Sequence, residues 1–186
     1  LDLGHVGIFR ALVDACDLDA AALATLEDIY LRKARTELNR FLDSQALPDS
    51  AARALVALPF LDGDTGVFAQ ARSLLADFPD ATQALADLER LVSVLAERGL
   101  EVHLDLGELR GYHYHTGCVF AAYLPGDSEP LAKGGRYDHI GEVFGRARPA
   151  TGFSADLKKL ASLAPVPRAG AVLARGELAD AGFAAR

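Results

Sequence analysis

The sequence predicts an α+β fold, an antiparallel sheet flanked by helices, and three observations carry that expectation. Apolar residues recur every three or four positions through one block, residues 19–98, the spacing of amphipathic helices. On either side of that block, short runs alternate apolar and polar residues or read as continuous apolar stretches, the patterns of strands. The two kinds of element are segregated, whereas a parallel sheet of βαβ units would interleave them.

Leu1-Asp2-Leu3 alternates like a strand, Gly4-His5-Val6-Gly7 reads as a tight turn, and Ile8, Leu12 and Val13 form a helical stripe ending near Asp17. From Asp19, a good N-cap, the stripe Leu23, Leu26, Tyr30, Ala34, Leu38 and Phe41 predicts one long helix. Pro48-Asp49-Ser50 opens a short helix to Leu58, and Val67, Ala71, Leu74 and Leu75 mark another before Phe78-Pro79. A last helix runs from Asp80 through Leu85, Leu88, Leu91, Val92 and Leu95 to a stop at Gly99. The period then changes to two over Val102, Leu104 and Leu106. A second strand covers residues 118–124, and Pro125-Gly126-Asp127-Ser128 turns it back on itself, which predicts antiparallel pairing. Leu157, Leu160 and Leu163 form a final helical stripe, and the Ala-, Gly- and Pro-rich residues 164–186 are expected to be a loosely ordered or truncated tail. The chain lacks methionine and opens directly in a strand pattern, which predicts that further residues precede Leu1.

With 186 residues, 51% of them hydrophobic and 24% charged, the chain can bury one substantial core. A net charge of -7 without any Lys/Arg block argues against a nucleic-acid surface, which needs clustered cations. Cys16 and Cys118 follow no metal or redox spacing and read as thiols in a reducing, cytoplasmic setting. No apolar run approaches the roughly 18 to 20 residues of a membrane span, so no membrane partner is expected. No phosphate loop, dinucleotide fingerprint, nucleophile elbow or zincin helix occurs, and no cofactor or catalytic residue is predicted.

Three stretches mix glycine and polar residues into otherwise apolar sequence. In Arg110-Gly111-Tyr112-His113-Tyr114-His115-Thr116-Gly117, a strand would place Tyr112 and Tyr114 on one face and His113 and His115 on the other. Aromatic rings beside a guanidinium suit a small planar anion such as an amino acid's carboxylate, while an aromatic cross-strand ladder with Arg110 in a salt bridge fits equally. His113-x-His115 could form half a zinc site, but no third ligand stands at a recognisable spacing, so no metal is predicted. In Gly134-Gly135-Arg136-Tyr137-Asp138 the glycines would let backbone N–H groups approach a ligand, with Arg136 available to a carboxylate or phosphate; a plain turn is the other reading. The third stretch spans residues 149–160.

Together these stretches resemble the catalytic domain of class II aminoacyl-tRNA synthetases, specifically the histidine branch. That family's Arg-Gly-Leu-Asp-Tyr-Tyr, followed by a Thr-Val-Phe strand, reads here Arg110-Gly111-Tyr112-His113-Tyr114-His115 and then Val119-Phe120, with His115 in place of the second tyrosine. Its Gly-Gly-Arg-Tyr-Asp is unchanged at residues 134–138, and its motif 3, Gly-Phe-x-x-Gly-Leu-Glu-Arg-Leu, aligns with residues 152–160. The resemblance implies a class II synthetase-like domain over residues 1–163, with residues 19–98 as a helical insertion. It also implies a histidine site made of Arg110, Tyr112, Tyr114, His115, Gly134, Gly135 and Arg136.

The departures imply a degenerate nucleotide site. Asp156, Lys158 and Lys159 stand where motif 3 has Gly, Glu and the phosphate-gripping Arg. Lysine offers a point charge without the planar fork, and losing positioned donors typically costs ~100-fold or more in catalysis. This wording is similar to that of a paralogous family, the regulatory subunits of ATP phosphoribosyltransferase. That resemblance implies a non-catalytic protein that pairs with a short catalytic subunit in the first step of histidine biosynthesis, with histidine as feedback effector and self-association as a dimer. The alternative is a fragment of a genuine histidyl-tRNA synthetase.

Overall fold

The computed structural model describes residues 1–142 and 145–164, in two units, residues 1–156 and residues 157–186. The predicted tail, residues 164–186, lies outside the described residues except for Ala164.

In the first unit, β1 (Asp2–His5) passes directly into α1 (Val6–Asp14), without the expected separate turn. His5 caps the helix, its side chain accepting a hydrogen bond from the Gly7 N–H. Asp19 caps α2 (Ala20–Leu31) by accepting from the Ala22 N–H, as its position predicts. The single long helix expected from residue 19 to residue 41 is two helices, α2 and α3 (Arg35–Asp43). Lys33 sits at φ 47°, with its N–H donating to Tyr30 O and that of Ala34 to Ile29 O. This is a Schellman ending with lysine in the place glycine usually takes. The apolar stripe continues through the break, so neither composition nor periodicity marks it.

Next come α4 (Asp49–Ala57), a 3₁₀ turn (Leu58–Phe60), the short β2 (Asp62–Gly63), α5 (Val67–Leu74) and α6 (Pro79–Glu97). Helix α6 starts at Pro79, one residue before the expected Asp80, and Gly99, at φ +72°, follows its end as the sequence predicts. The chain then returns as β3 (His103–Asp105), β4 (Cys118–Ala122), β5 (Ala132–Tyr137) and β6 (Ala150–Ala155). The turn after β4 contains Gly126 at φ +80° and produces the predicted antiparallel pairing of β4 with β5.

The sheet order is β2-β3-β1-β4-β5-β6. Every pairing is antiparallel except β1 with β3, which are parallel because the whole helical block carries the chain from the end of one back to the start of the other. The block packs on one face of the sheet. Leu3 and Leu104 point into a continuous core with Phe9, Leu12, Tyr30, Leu55, Leu85 and Leu88, all at most 3% exposed. The other face is open. In the second unit, the predicted stripe forms α7 (Leu157–Leu163).

Candidate ligand cavity on the open face

A strand places alternate residues on opposite sides of a sheet, so the partners of Leu3 and Leu104 on the covered side fix what the open side carries. It carries Asp2, Asp105, Val119, Ala121, Tyr123, Lys133 and Tyr137, and with the loop before β4 these enclose a cavity of about 760 Å³. The charged groups around it are of both signs, Asp2, Asp105, Glu108 and Glu129 against Arg110 and Lys133, a balance suited to a zwitterion.

Arg110 is the best-oriented cation there. Its Nε donates to Glu108 Oε2 at 2.6 Å, its Nη2 pairs with the same carboxylate, and its Nη1 donates to Tyr123 Oη at 3.0 Å. The backbone N–H of Arg110 donates to the other Glu108 oxygen at 2.6 Å. Hydrogen bonding to Glu108 drives the guanidinium pKa further up, so its charge is permanent, and a fork held this way still has donors for a carboxylate.

The loop bearing Arg110 is not the strand its alternation suggested. Residues 110–114 are turns, opened by Gly111 at φ +72°. Tyr112 and Tyr114 therefore do not share a face. The Tyr112 ring packs edge-on against Phe9, centroids 5.3 Å apart, and burial raises its pKa, whereas Tyr114 is 76% exposed. His113 reaches Glu27 on α2, Nε2 to Oε2 2.9 Å. His115 does line the cavity and stacks on Tyr137 with centroids 4.5 Å apart. Its Nδ1 lies 3.0 Å from Gly111 O; a carbonyl only accepts, so this nitrogen donates and the neutral ring has Nε2 as acceptor. Nε2 is buried and meets no hydrogen-bond partner among the described residues. His113 and His115 thus turn to different partners, and no metal-holding group of three or more His, Cys, Asp or Glu occurs among the described residues.

Gly134 and Gly135 lie inside β5 and not in a turn. A Cβ on Gly134 would come within 2.2 Å of Gly152 O, and one on Gly135 within 2.5 Å of the His115 ring. These positions thus give room to a neighbouring strand and to His115. Arg136 projects from the helix-bearing face beside His5 and Asp87, pairing through Nε with Asp138 Oδ1 at 2.8 Å. The structure brings Arg110, His115 and Gly134 together around the cavity and turns Tyr112, Tyr114 and Arg136 away from it. Asp156 ends the first unit, its N–H donating to Leu131 O at 2.9 Å, while Lys158 and Lys159 belong to α7 of the second.

Sequence reasoning missed Glu108, Tyr123 and Lys133 on the cavity wall. The signals were present for two of them: Tyr123 continues the in-out alternation of β4 from Val119 and Ala121, and Lys133 shares the face of Tyr137 four residues on. Burial pushes the Cys118 thiol up to about 11 and raises that of Cys16, which favours the protonated thiol at both free cysteines.

A family model described as histidyl-tRNA synthetase matches residues 1–160. The chain is 50% identical over 174 residues to an ATP phosphoribosyltransferase regulatory subunit of Thioalkalivibrio sulfidiphilus, covering 92% of this chain and 44% of that one. It is 47% identical over 165 residues to the protein of the same description from Cellvibrio japonicus, covering 88% and 42%. Among solved structures, it superposes with a TM-score of 0.74 and 29% identity on an ATP phosphoribosyltransferase regulatory subunit/histidyl-tRNA synthetase from Bacillus halodurans, covering 87% of this chain and 43% of that one. The chain spans less than half the length of these relatives.

Proposed function

The chain belongs to the histidyl-tRNA synthetase family, and from that premise we propose that it serves in a non-catalytic regulatory subunit of ATP phosphoribosyltransferase. In this reading it pairs with the catalytic subunit, is required for that subunit's activity, and carries histidine feedback to the first step of histidine biosynthesis. It works in the cytoplasm and self-associates as a dimer. The names of the curated relatives support the assignment. The observation that carries it is a contrast within one chain. The open-face cavity keeps a guanidinium fixed by Glu108 and Tyr123, suited to an amino acid's carboxylate. Motif 3, by comparison, has Asp156, Lys158 and Lys159 where the synthetase has Gly, Glu and Arg. An amino-acid slot without a nucleotide grip favours sensing over activation.

The second reading, a synthetase, rests on the family model's own description. Two measurements on full-length protein separate them. Added to a short-form ATP phosphoribosyltransferase, it should raise activity and make that activity sensitive to histidine. Histidine-dependent exchange of pyrophosphate into ATP should stay at background. Exchange above background, with no effect on the transferase, would replace the regulatory reading by the synthetase one.

A further inference from the structure

The loop from Leu109 to His115 carries both Arg110 and His115, yet it belongs to no helix or strand. Its own hydrogen bonds are turns: the Tyr112 N–H donates to Leu109 O and those of Tyr114 and His115 to Gly111 O, each at 2.9 Å. Such a segment needs ties from elsewhere to hold one shape. Leu109 is buried at one end. Beyond it, one side chain from another element supplies the central tie. Arg10 on α1 donates from Nη2 to both Tyr112 O and His115 O, each at 3.1 Å, and its guanidinium lies 5.0 Å from the centroid of the Tyr112 ring. Tyr112 in turn packs on Phe9, and Phe9 on Tyr30. The loop's other long-range side-chain contacts are to residues of the cavity wall, Arg110 with Tyr123 and His115 with Tyr137, and to Glu27 from His113, whose side chain is 71% exposed; none of these joins the loop to α1. Arg10 does not line the cavity.

We propose that Arg10 is a positioning residue: by tying the Tyr112 and His115 carbonyls to α1, it holds the loop in the shape that presents Arg110 and His115 to the cavity, and so sets ligand affinity without touching the ligand. This rests on the reading that the cavity takes histidine. Tyr112 and His115 stand three residues apart, on either side of the turn at His113-Tyr114, so one fork on α1 clamps both sides of that turn at once. Arginine suits the task because its guanidinium can donate to two acceptors and lie against an aromatic ring at once.

The test uses full-length protein, with histidine calorimetry on wild type, Arg10→Ala, Arg10→Lys, Arg110→Ala and the Arg10→Ala/Arg110→Ala double variant. Arg10→Ala should weaken histidine binding by on the order of 10-fold. Arg10→Lys, which keeps the charge and can reach at least one carbonyl, should fall between it and wild type. A residue acting through Arg110 gives a non-additive cycle, so in the Arg110→Ala background the Arg10→Ala change should shrink to about 2-fold or less. A residue that merely supports the fold would weaken binding equally in both backgrounds, and that result, or an unchanged affinity for Arg10→Ala, overturns the proposal. Amide hydrogen exchange without ligand supplies an independent arm. Residues 111–116 should exchange about 10-fold faster or more in Arg10→Ala, with α6 unchanged. If wild type does not bind histidine, the reading of the cavity falls. The exchange arm then decides the positioning role alone: faster loop exchange supports it and unchanged exchange overturns it.

Discussion

The two faces of this sheet are made by the same strands, yet they place opposite demands on the residues that form them. On the covered face, Leu3 and Leu104 meet Phe9, Leu12, Leu85 and Leu88, and each needs only to be apolar and of suitable size. On the open face, Glu108, Arg110 and Tyr123 form a chain of hydrogen bonds whose members must have particular donors and acceptors at particular distances. Burial repeats with the period of the element and so writes itself along the sequence. A polar cluster assembled from the loop before β4 and a residue just past its end follows no single period.

Truncating the covered face should give the largest effect. Leu88→Ala removes a fully buried side chain on α6 and should cost about 2 to 5 kcal/mol in denaturant-induced unfolding. Histidine affinity of the molecules that remain folded should not change. A loss below about 1 kcal/mol would mean that the covered face is not the stabilising one. The paired glycines of β5 offer a finer comparison. In Gly134→Ala the new methyl meets the Gly152 carbonyl oxygen, which is backbone and cannot swing aside, so β6 must shift at a cost of about 1 to 3 kcal/mol. In Gly135→Ala the nearest atom belongs to the His115 ring, although Cys118 O is also close at 2.7 Å. The ring should move, and histidine binding should suffer more than stability. Equal stability losses accompanied by unchanged binding in both variants would remove His115 from the cavity wall.

The same difference explains what could be read in advance. The Asp19 cap, α6 with its Gly99 stop and the β4-turn-β5 hairpin were legible because each depends on local chemistry: a capping carboxylate, a 3.6-residue stripe, a glycine that accepts positive φ. The break at Lys33 was not, because lysine occupies a left-handed position on which no sequence signal falls. Nor was the loop around Arg110. Its Tyr-His-Tyr-His alternation looks like a strand, but Gly111 turns the chain, and contacts from Phe9 and Arg10, about 100 residues away, hold Tyr112 inward. Of the first two motifs, Arg110, His115 and Gly134 meet around one cavity, while Tyr112, Tyr114 and Arg136 do not. Whether Arg136 faces Arg110 depends on β5 register, and a one-residue difference in register reverses every side chain.

The electrostatic half of the comparison gives the next effect. Arg110→Ala removes the fixed fork from the open face. A guanidinium paired with a carboxylate contributes about 1.5 to 3 kcal/mol when desolvated, but this side chain is 58% exposed, which argues for the lower end, or roughly 10-fold in histidine affinity by calorimetry. Through linkage, the reconstituted transferase should need correspondingly more histidine for inhibition. Because Arg110 lies outside the covered core, the unfolding free energy should move by less than about 1 kcal/mol. A large stability loss with unchanged binding would make Arg110 a structural ion-pair partner of Glu108.

The smallest effect concerns the exception on the covered face. His5 is the buried polar residue among the described residues, 8% exposed, and it works as the N-cap of α1 by accepting the Gly7 N–H through Nδ1 at 3.1 Å. That role requires Nδ1 to be unprotonated. Burial is the main cause lowering the His5 pKa; the Arg136 and Arg10 charges act in the same direction, while Asp87 opposes them. In the unfolded chain the ring titrates near ~6.5. Below that pH the unfolded state binds a proton that the folded state resists, so the contribution of His5 to stability is fully present above ~6.5 and is lost as pH falls toward the lower folded value. The slope cannot exceed about 1.4 kcal/mol per pH unit for one group. His5→Asn keeps an acceptor that caps helices well and cannot titrate. Unfolding measured at about pH 7.5 and about pH 5.5 should therefore show wild type losing roughly 1 kcal/mol more than the variant. The remaining histidines, His103, His113, His115 and His139, are common to both proteins and cancel in the difference. Equal losses would mean that His5 can be protonated in place, with the α1 cap and the covered face tolerating a charge that their burial should exclude.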